Sequence, residues 1–183
     1  MGYCSRRIFL KRSTALIATC LVPLPASAAL TPDPAPRALA FFNTHTGERL
    51  RITYYKNGAY HPNALQQIDH ILRDHRTGDR VAMDPRLLDL LYGVKRRLAV
   101  DAPFHIISAY RSPQTNAMLR QQGSGVAKRS YHLLGRAIDI RLPGCDTRKL
   151  KRTCLALRGG GVGYYARSDF VHVDTGEIRT WSG

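Results

Sequence analysis

Apolar residues recur at three- and four-residue steps in some stretches and form short runs in others, the patterns of helices and strands. Leu65, Ile68, Ile71 and Leu72 predict a helix opened by His61-Pro62 and running to about His75. Leu87, Leu88, Leu91, Val94 and Leu98 predict a second, with Asp84 as N-cap and Pro85 in the first turn. Ser112-Pro113 opens a third helix through about Gln122, and a fourth spans 146–157. Residues 38–43 and 49–55 read as a hairpin joined by His45-Thr46-Gly47, and 104–110, 137–142, 161–165 and 170–174 as further strands. Gly159-Gly160-Gly161 reads as a tight turn before a strand, and a basic, Gly- and Ser-containing loop covers 123–131. Helices come early and strands cluster late with short connections. The expected class is therefore α+β, an antiparallel sheet with helices packed mainly on one side.

The N-terminus departs from this pattern. Ser5-Arg6-Arg7-Ile8-Phe9-Leu10-Lys11 precedes an uncharged, mildly apolar stretch that closes on Ala26-Ser27-Ala28. These are the three parts of an export signal, here of twin-arginine type and spanning 1–28. A Pro-rich linker at 29–37 and one domain at 38–183 complete the expected organisation. The size, 183 residues with 44% hydrophobic and 22% charged, suits one ordinary domain. No apolar run approaches the length of a membrane-spanning helix, so stable membrane insertion is not expected.

Charge narrows the partners. The chain carries net +15, and loss of Arg6, Arg7, Lys11 and Arg12 with the signal leaves 24 basic against 13 acidic residues, net +11. Such an excess suits a polyanion. In an exported protein the nearby polyanions are cell-wall glycopeptide and lipid head groups. The absence of zinc-finger spacing, RNP-like aromatics or a long basic helix argues against nucleic acid. Cys145 and Cys154 would be the two cysteines left after export, an even pair whose bridging stays open. With no C-x-x-C pattern, thiol redox chemistry is not expected.

The chemistry-bearing residues interrupt apolar strands. His132 precedes a Gly135 turn and Asp139 lies between Ile138 and Ile140, while His172 and Asp174 share a strand face opposite Val171 and Val173. Two imidazoles and one carboxylate suit zinc and leave a fourth position open for water. Zinc would lower the pKa of that water towards about 7. Histidines in strands are also commonly hydrogen-bonded core residues, so spacing alone leaves both readings open. His45, His61, His70, His75 and His105 lack a ligand-like pattern and read as turn, surface or capping residues.

The run Ser130-x-His132-x-x-Gly135-x-Ala137-x-Asp139, followed by His172-x-Asp174, resembles the zinc D-Ala-D-Ala peptidase family. That family includes D-Ala-D-Ala carboxypeptidases, vancomycin-resistance dipeptidases and murein endopeptidases, and the Hedgehog signalling domain shares its fold. Ser108-Ala109-Tyr110-Arg111-Ser112, Gly160-Gly161-Val162-Gly163-Tyr164-Tyr165 and Asp169-Phe170-Val171-His172-Val173-Asp174-Thr175-Gly176 are similar to the murein endopeptidase branch. The similarity extends from His45 to Trp181.

The resemblance implies one zinc ion held by His132, Asp139 and His172, and an Arg111 that binds the substrate carbonyl or carboxylate and the oxyanion formed from it. Tyr131 would wall the substrate cleft. The implied activity is periplasmic hydrolysis of peptidoglycan cross-links, between two diaminopimelates or between D-Ala and diaminopimelate. The alternatives are a D-Ala-D-Ala carboxypeptidase or dipeptidase, or a zinc-containing module without turnover. Family members place a Glu three residues before the last ligand, or a His two before it; here those positions hold Asp169 and Phe170. The base is therefore expected to be Asp174 or Asp169, with Asp174 alternatively orienting a ligand.

Overall fold

The computed structural model describes residue 1 and residues 35–123 and 126–183. Apart from Met1, the expected signal lies outside the described residues, as does most of the expected linker. The described residues from 35 onward belong to one compact unit, Pro32–Gly183.

The α+β class holds. In chain order the elements are β1 (Arg37–Asn43), β2 (Arg49–Lys56), β3 (Ala59–Tyr60), α1 (Pro62–Ile71), α2 (Pro85–Leu98), β4 (Phe104–Ser108), α3 (Pro113–Gln121), a 3-10 turn (Tyr131–Leu134), β5 (Ala137–Arg141), α4 (Thr147–Leu157), β6 (Val162–Tyr165), β7 (Phe170–Asp174) and β8 (Thr180–Ser182). Arg37 already pairs with Tyr55, so the domain begins one residue inside the expected linker.

All eight strands form one sheet in the order β3-β2-β1-β4-β5-β7-β6-β8. The sheet is mixed rather than wholly antiparallel, because β4 runs parallel to β1 and β8 parallel to β6. Both parallel pairs follow from connectivity. The chain leaves the first hairpin, passes through α1 and α2, and re-enters beside β1 from the same end, the kind of long crossover that parallel neighbours require. After the β6–β7 hairpin it returns to the outer side of β6.

One apolar layer joins sheet and helices. Leu39, Phe41, Phe104, Ile106, Ile138, Ile140, Val171 and Val173 pack with Ile68 and Leu72, with the α2 residues Leu87, Leu88, Leu91 and Val94, and with Leu150 of α4. Asp84 caps α2 by accepting from the Arg86 amide, and Asp146 caps α4 by accepting from the Arg148 and Lys149 amides. Helix α1 ends at Ile71 instead of His75. Its last carbonyls are taken by remote partners, Ile71 by Asn43 Nδ2 (3.0 Å) and Leu72 by the Tyr110 amide (3.0 Å). Cys145 and Cys154 are both free thiols, and burial in the core pushes the Cys154 thiol up to about 12.

Candidate metal centre

Strands β5 and β7 are antiparallel neighbours with Asp139 directly opposite His172. Because Ile138, Ile140, Val171 and Val173 fill the helix-facing side, Asp139, His172 and Asp174 occupy the other side of the sheet. His132 arrives from the 3-10 turn, whose start is capped by Ser130 Oγ accepting from the His132 amide (3.3 Å). His132, Asp139 and His172 are all buried, and their ligand-capable atoms lie within 4.8 Å of one another.

The surroundings set each ring. His132 Nδ1 lies 2.6 Å from the Ala109 carbonyl oxygen, which can only accept, so Nδ1 carries the hydrogen and Nε2 faces the cluster with its lone pair. His172 Nε2 donates to Asp174 Oδ2 (3.0 Å), which leaves Nδ1 facing inward. His132 Nε2 and His172 Nδ1 stand 3.2 Å apart, with Asp139 Oδ1 2.8 Å from the His172 nitrogen and Oδ2 3.3 Å from the His132 nitrogen. Two lone pairs and a carboxylate converging on one point call for a cation at that point. The nitrogen, nitrogen, oxygen donor set fits a divalent ion such as zinc.

Electrostatics agree with this geometry. Burial works to raise the Asp139 carboxyl, yet His132 and His172 hold it far below the usual carboxylate range. Burial lowers His132. It acts the same way on His172, but the hydrogen bonds to Asp139 and Asp174 prevail and lift that imidazole to about 9, so a proton on Nδ1 competes with a metal ion for the lone pair there. The cluster draws positive charge.

Asp174 lies behind the His172 ring, away from Asp139, and is fully buried. Its Oδ1 accepts from the Gly161 and Gly176 amides and Arg179 Nη1, and its Oδ2 accepts from His172 Nε2 and Arg179 Nη2 (2.7 Å). Both carboxylate oxygens are thus engaged, and Asp174 is not among the residues that line the cleft. Asp169 is the other expected base. It sits in a left-handed turn (φ 51°), bonds Thr147 Oγ1, and does not line the cleft.

Arg111 follows β4 and is 9% exposed. Its amide donates to the His132 carbonyl (3.2 Å), and the next amide, of Ser112, donates to Asp74 Oδ2 (2.9 Å). Its Nη2 stands 3.8 Å from Asp139 Oδ2, and its buried Nε has no partner among the described residues. The cleft over this cluster has a volume of about 340 Å³ and includes Arg111, Tyr131, Tyr165, Trp181, Arg129 and Arg179 in its lining. Tyr131 is braced by two guanidinium groups, Arg136 at 4.9 Å and Arg179 at 5.2 Å from its ring centre.

Arg129, Arg179 and Trp181 are cleft residues that the sequence pattern did not single out. The glycines held an indirect signal. A Cβ on Gly161 would stand 2.4 Å from Arg179 Nη1 and 2.6 Å from Asp174 Oδ2, and one on Gly163 would stand 2.6 Å from the Trp181 ring. The Gly-rich segment thus admits the arginine and the indole as well as turning the chain. His45 and His75 stack on each other (3.8 Å between ring centres), and neither lines the cleft.

The family model described as "Peptidoglycan L,D-endopeptidase MepK" (Peptidase_M15_2) matches residues 31–181. A Haemophilus influenzae protein, "Probable peptidoglycan L,D-endopeptidase MepK", is 45% identical over 156 residues, covering 85% of this chain and 84% of its own. The Escherichia coli K12 protein "Peptidoglycan L,D-endopeptidase MepK" is 39% identical over 177 residues, 97% of each chain. A solved structure, the Serratia marcescens L-Ala D-Glu endopeptidase ChiX, overlaps 42% of this chain and 62% of its own at 19% identity and TM-score 0.34, too partial a likeness to bear on the site. Similarity that runs through every strand and turn carrying the His132, Asp139 and His172 cluster places this chain in the Peptidase_M15_2 family of MepK-type L,D-endopeptidases.

Proposed function

We propose that this protein is an exported zinc endopeptidase that hydrolyses the peptide cross-links of peptidoglycan. The bond between two diaminopimelates is its preferred target, with D-Ala–diaminopimelate as the second. The carrying observation is the convergence of His132 Nε2, His172 Nδ1 and the Asp139 carboxylate at a cleft whose other charged lining residues are all arginines. A zinc ion held by these three residues would supply Lewis acidity, polarising the scissile carbonyl and acidifying a water.

The chain's own groups orient the ligands and bind the substrate carbonyl. The Ala109 carbonyl and the Asp174 carboxylate hold the two imidazoles in the tautomers that present their lone pairs inward. Arg111, fixed by the His132 carbonyl and by the Asp74 tether on its neighbour, offers a buried guanidinium to the substrate carbonyl oxygen. Charge developing on that oxygen is stabilised without rearrangement of the arginine. Tyr131 forms a substrate-facing wall. The MepK descriptions of the relatives support an L,D bond, and Arg6-Arg7 followed by Ala26-Ser27-Ala28 supports twin-arginine export to the periplasm. Among the described residues no helix is long and apolar enough to cross a membrane.

Digestion of purified cross-linked peptidoglycan, read by mass spectrometry of the muropeptides, tests this reading. Loss of dimers with matching gain of monomers, stopped by chelator and restored by zinc, is expected. Intact dimers with release of terminal D-Ala alone would make the protein a carboxypeptidase, and no release despite bound zinc would make it a binding module.

A further inference from the structure

We infer that Arg129 forms a carboxylate-binding subsite beside the metal centre, which reads a free carboxylate on the substrate carbon bearing the scissile nitrogen. The inference rests on the endopeptidase reading above. Three arginines line the cleft, and they differ in what they face. Arg179 is committed twice to Asp174 and lies over the Tyr131 and Trp181 rings. Arg111 is buried against Asp139 and Ser108. Arg129 is exposed and has no hydrogen bond or ion pair among the described residues. Asp139 is the one carboxylate among the lining residues, and it belongs to the metal cluster.

Arg129 belongs to the cleft lining and has no counter-ion there; a guanidinium so placed attracts an anion, and its planar fork matches a carboxylate in bidentate fashion. Its position is coupled to the centre. Ser130, the next residue, caps the 3-10 turn that delivers His132, so Arg129 stands three residues from a candidate ligand on a segment held by that cap. The proposed substrate has the matching group. When one diaminopimelate is joined through an amine to the carbonyl of another, the amine-bearing carbon keeps its own carboxylate, two bonds from the scissile nitrogen. A primary amide there would remove the charge and one acceptor oxygen.

Cleavage of two diaminopimelate-linked dimers, identical except for carboxylate or carboxamide at that carbon, tests the assignment. The expected result is a preference of wild type for the acid by roughly 10- to 100-fold in kcat/KM, the range for hydrogen bonds to charged groups. Arg129→Gln should lose that preference through a raised KM for the acid alone, and Arg129→Lys should recover part of it. Equal cleavage of both dimers by wild type, or an equal loss on both in Arg129→Gln, would overturn the subsite. Equilibrium binding of the same dimers in the presence of chelator gives a readout independent of turnover. Tighter binding of the acid that Arg129→Gln abolishes, with no cleavage by zinc-loaded wild type, would keep the subsite and retire the endopeptidase reading. Equal binding of acid and amide would retire the subsite whatever the activity.

Discussion

The two faces of strands β5 and β7 are both buried and are chemical opposites. Towards the helices stand Ile138, Ile140, Val171 and Val173, each 0% exposed. Away from them stand Asp139, His172 and Asp174, at 6%, 8% and 0%. Burial of each aliphatic side chain on the first face contributes roughly 1.5–3 kcal/mol by removing apolar area from water. Burial of charged groups on the second face costs free energy, and the face persists because each carboxylate is met by imidazole, arginine or amide donors. One face holds the fold together. The other spends stability to hold nitrogen lone pairs and a carboxylate on a single point.

Substitutions can separate the two. The largest effect belongs to His132→Ala, which should abolish zinc-dependent cleavage in the muropeptide assay. Its counterpart Ile140→Ala should cost about 2–5 kcal/mol of stability in denaturant unfolding, while the folded fraction still cleaves. Arg111→Ala should lower kcat by about 100- to 1000-fold with zinc content unchanged, since it removes a donor to developing charge and no ligand. Asp174→Asn should weaken zinc affinity or activity by about 10- to 100-fold, because it loosens His172 without removing a ligand. A zinc-retaining Asp174→Asn with no cleavage at all would instead return Asp174 to the base role.

The smallest effect lies away from both faces. Burial, the stacked His45 and the nearby Arg76 lower the His75 imidazole from 6.5 to about 4, against the pull of Asp74. The unfolded chain therefore takes this proton first. The contribution of His75 is complete above about pH 6.5 and is lost as pH falls from there towards about 4. His75→Phe should flatten that part of the acid-side decline in urea midpoints measured at the two ends of the window.

Much of this arrangement was legible from patterns local to the chain. Helix α2 was bounded by Asp84-Pro85 and its leucine periodicity, and β7 by an apolar run with polar residues on one face. The same interruption of apolar strands exposed Asp139 and His172, the imidazole before the Gly135 turn offered His132, and the family resemblance joined the three as one ligand set. What escaped depends on distant partners. The end of α1 is set by Asn43 and Tyr110, and β3 and β8, of two and three residues, are too short for a periodicity. Strand alternation leaves open which side of the His172 ring Asp174 occupies. Asp169 had the expected spacing, but its left-handed backbone aims it at Thr147. Arg179 and Arg129 sit outside any repeating pattern and reach the cleft through the last strand pairing and the 3-10 turn.

The central claim is that the polar face of β5 and β7 is built around a cation. Thermal unfolding of chelator-treated protein, with zinc then added back, tests it most directly. Zinc at about a thousand times its dissociation constant should stabilise wild type by about 4 kcal/mol and leave His132→Ala and Asp139→Ala unmoved. An unchanged wild-type midpoint, or an equal rise in the variants, would contradict it.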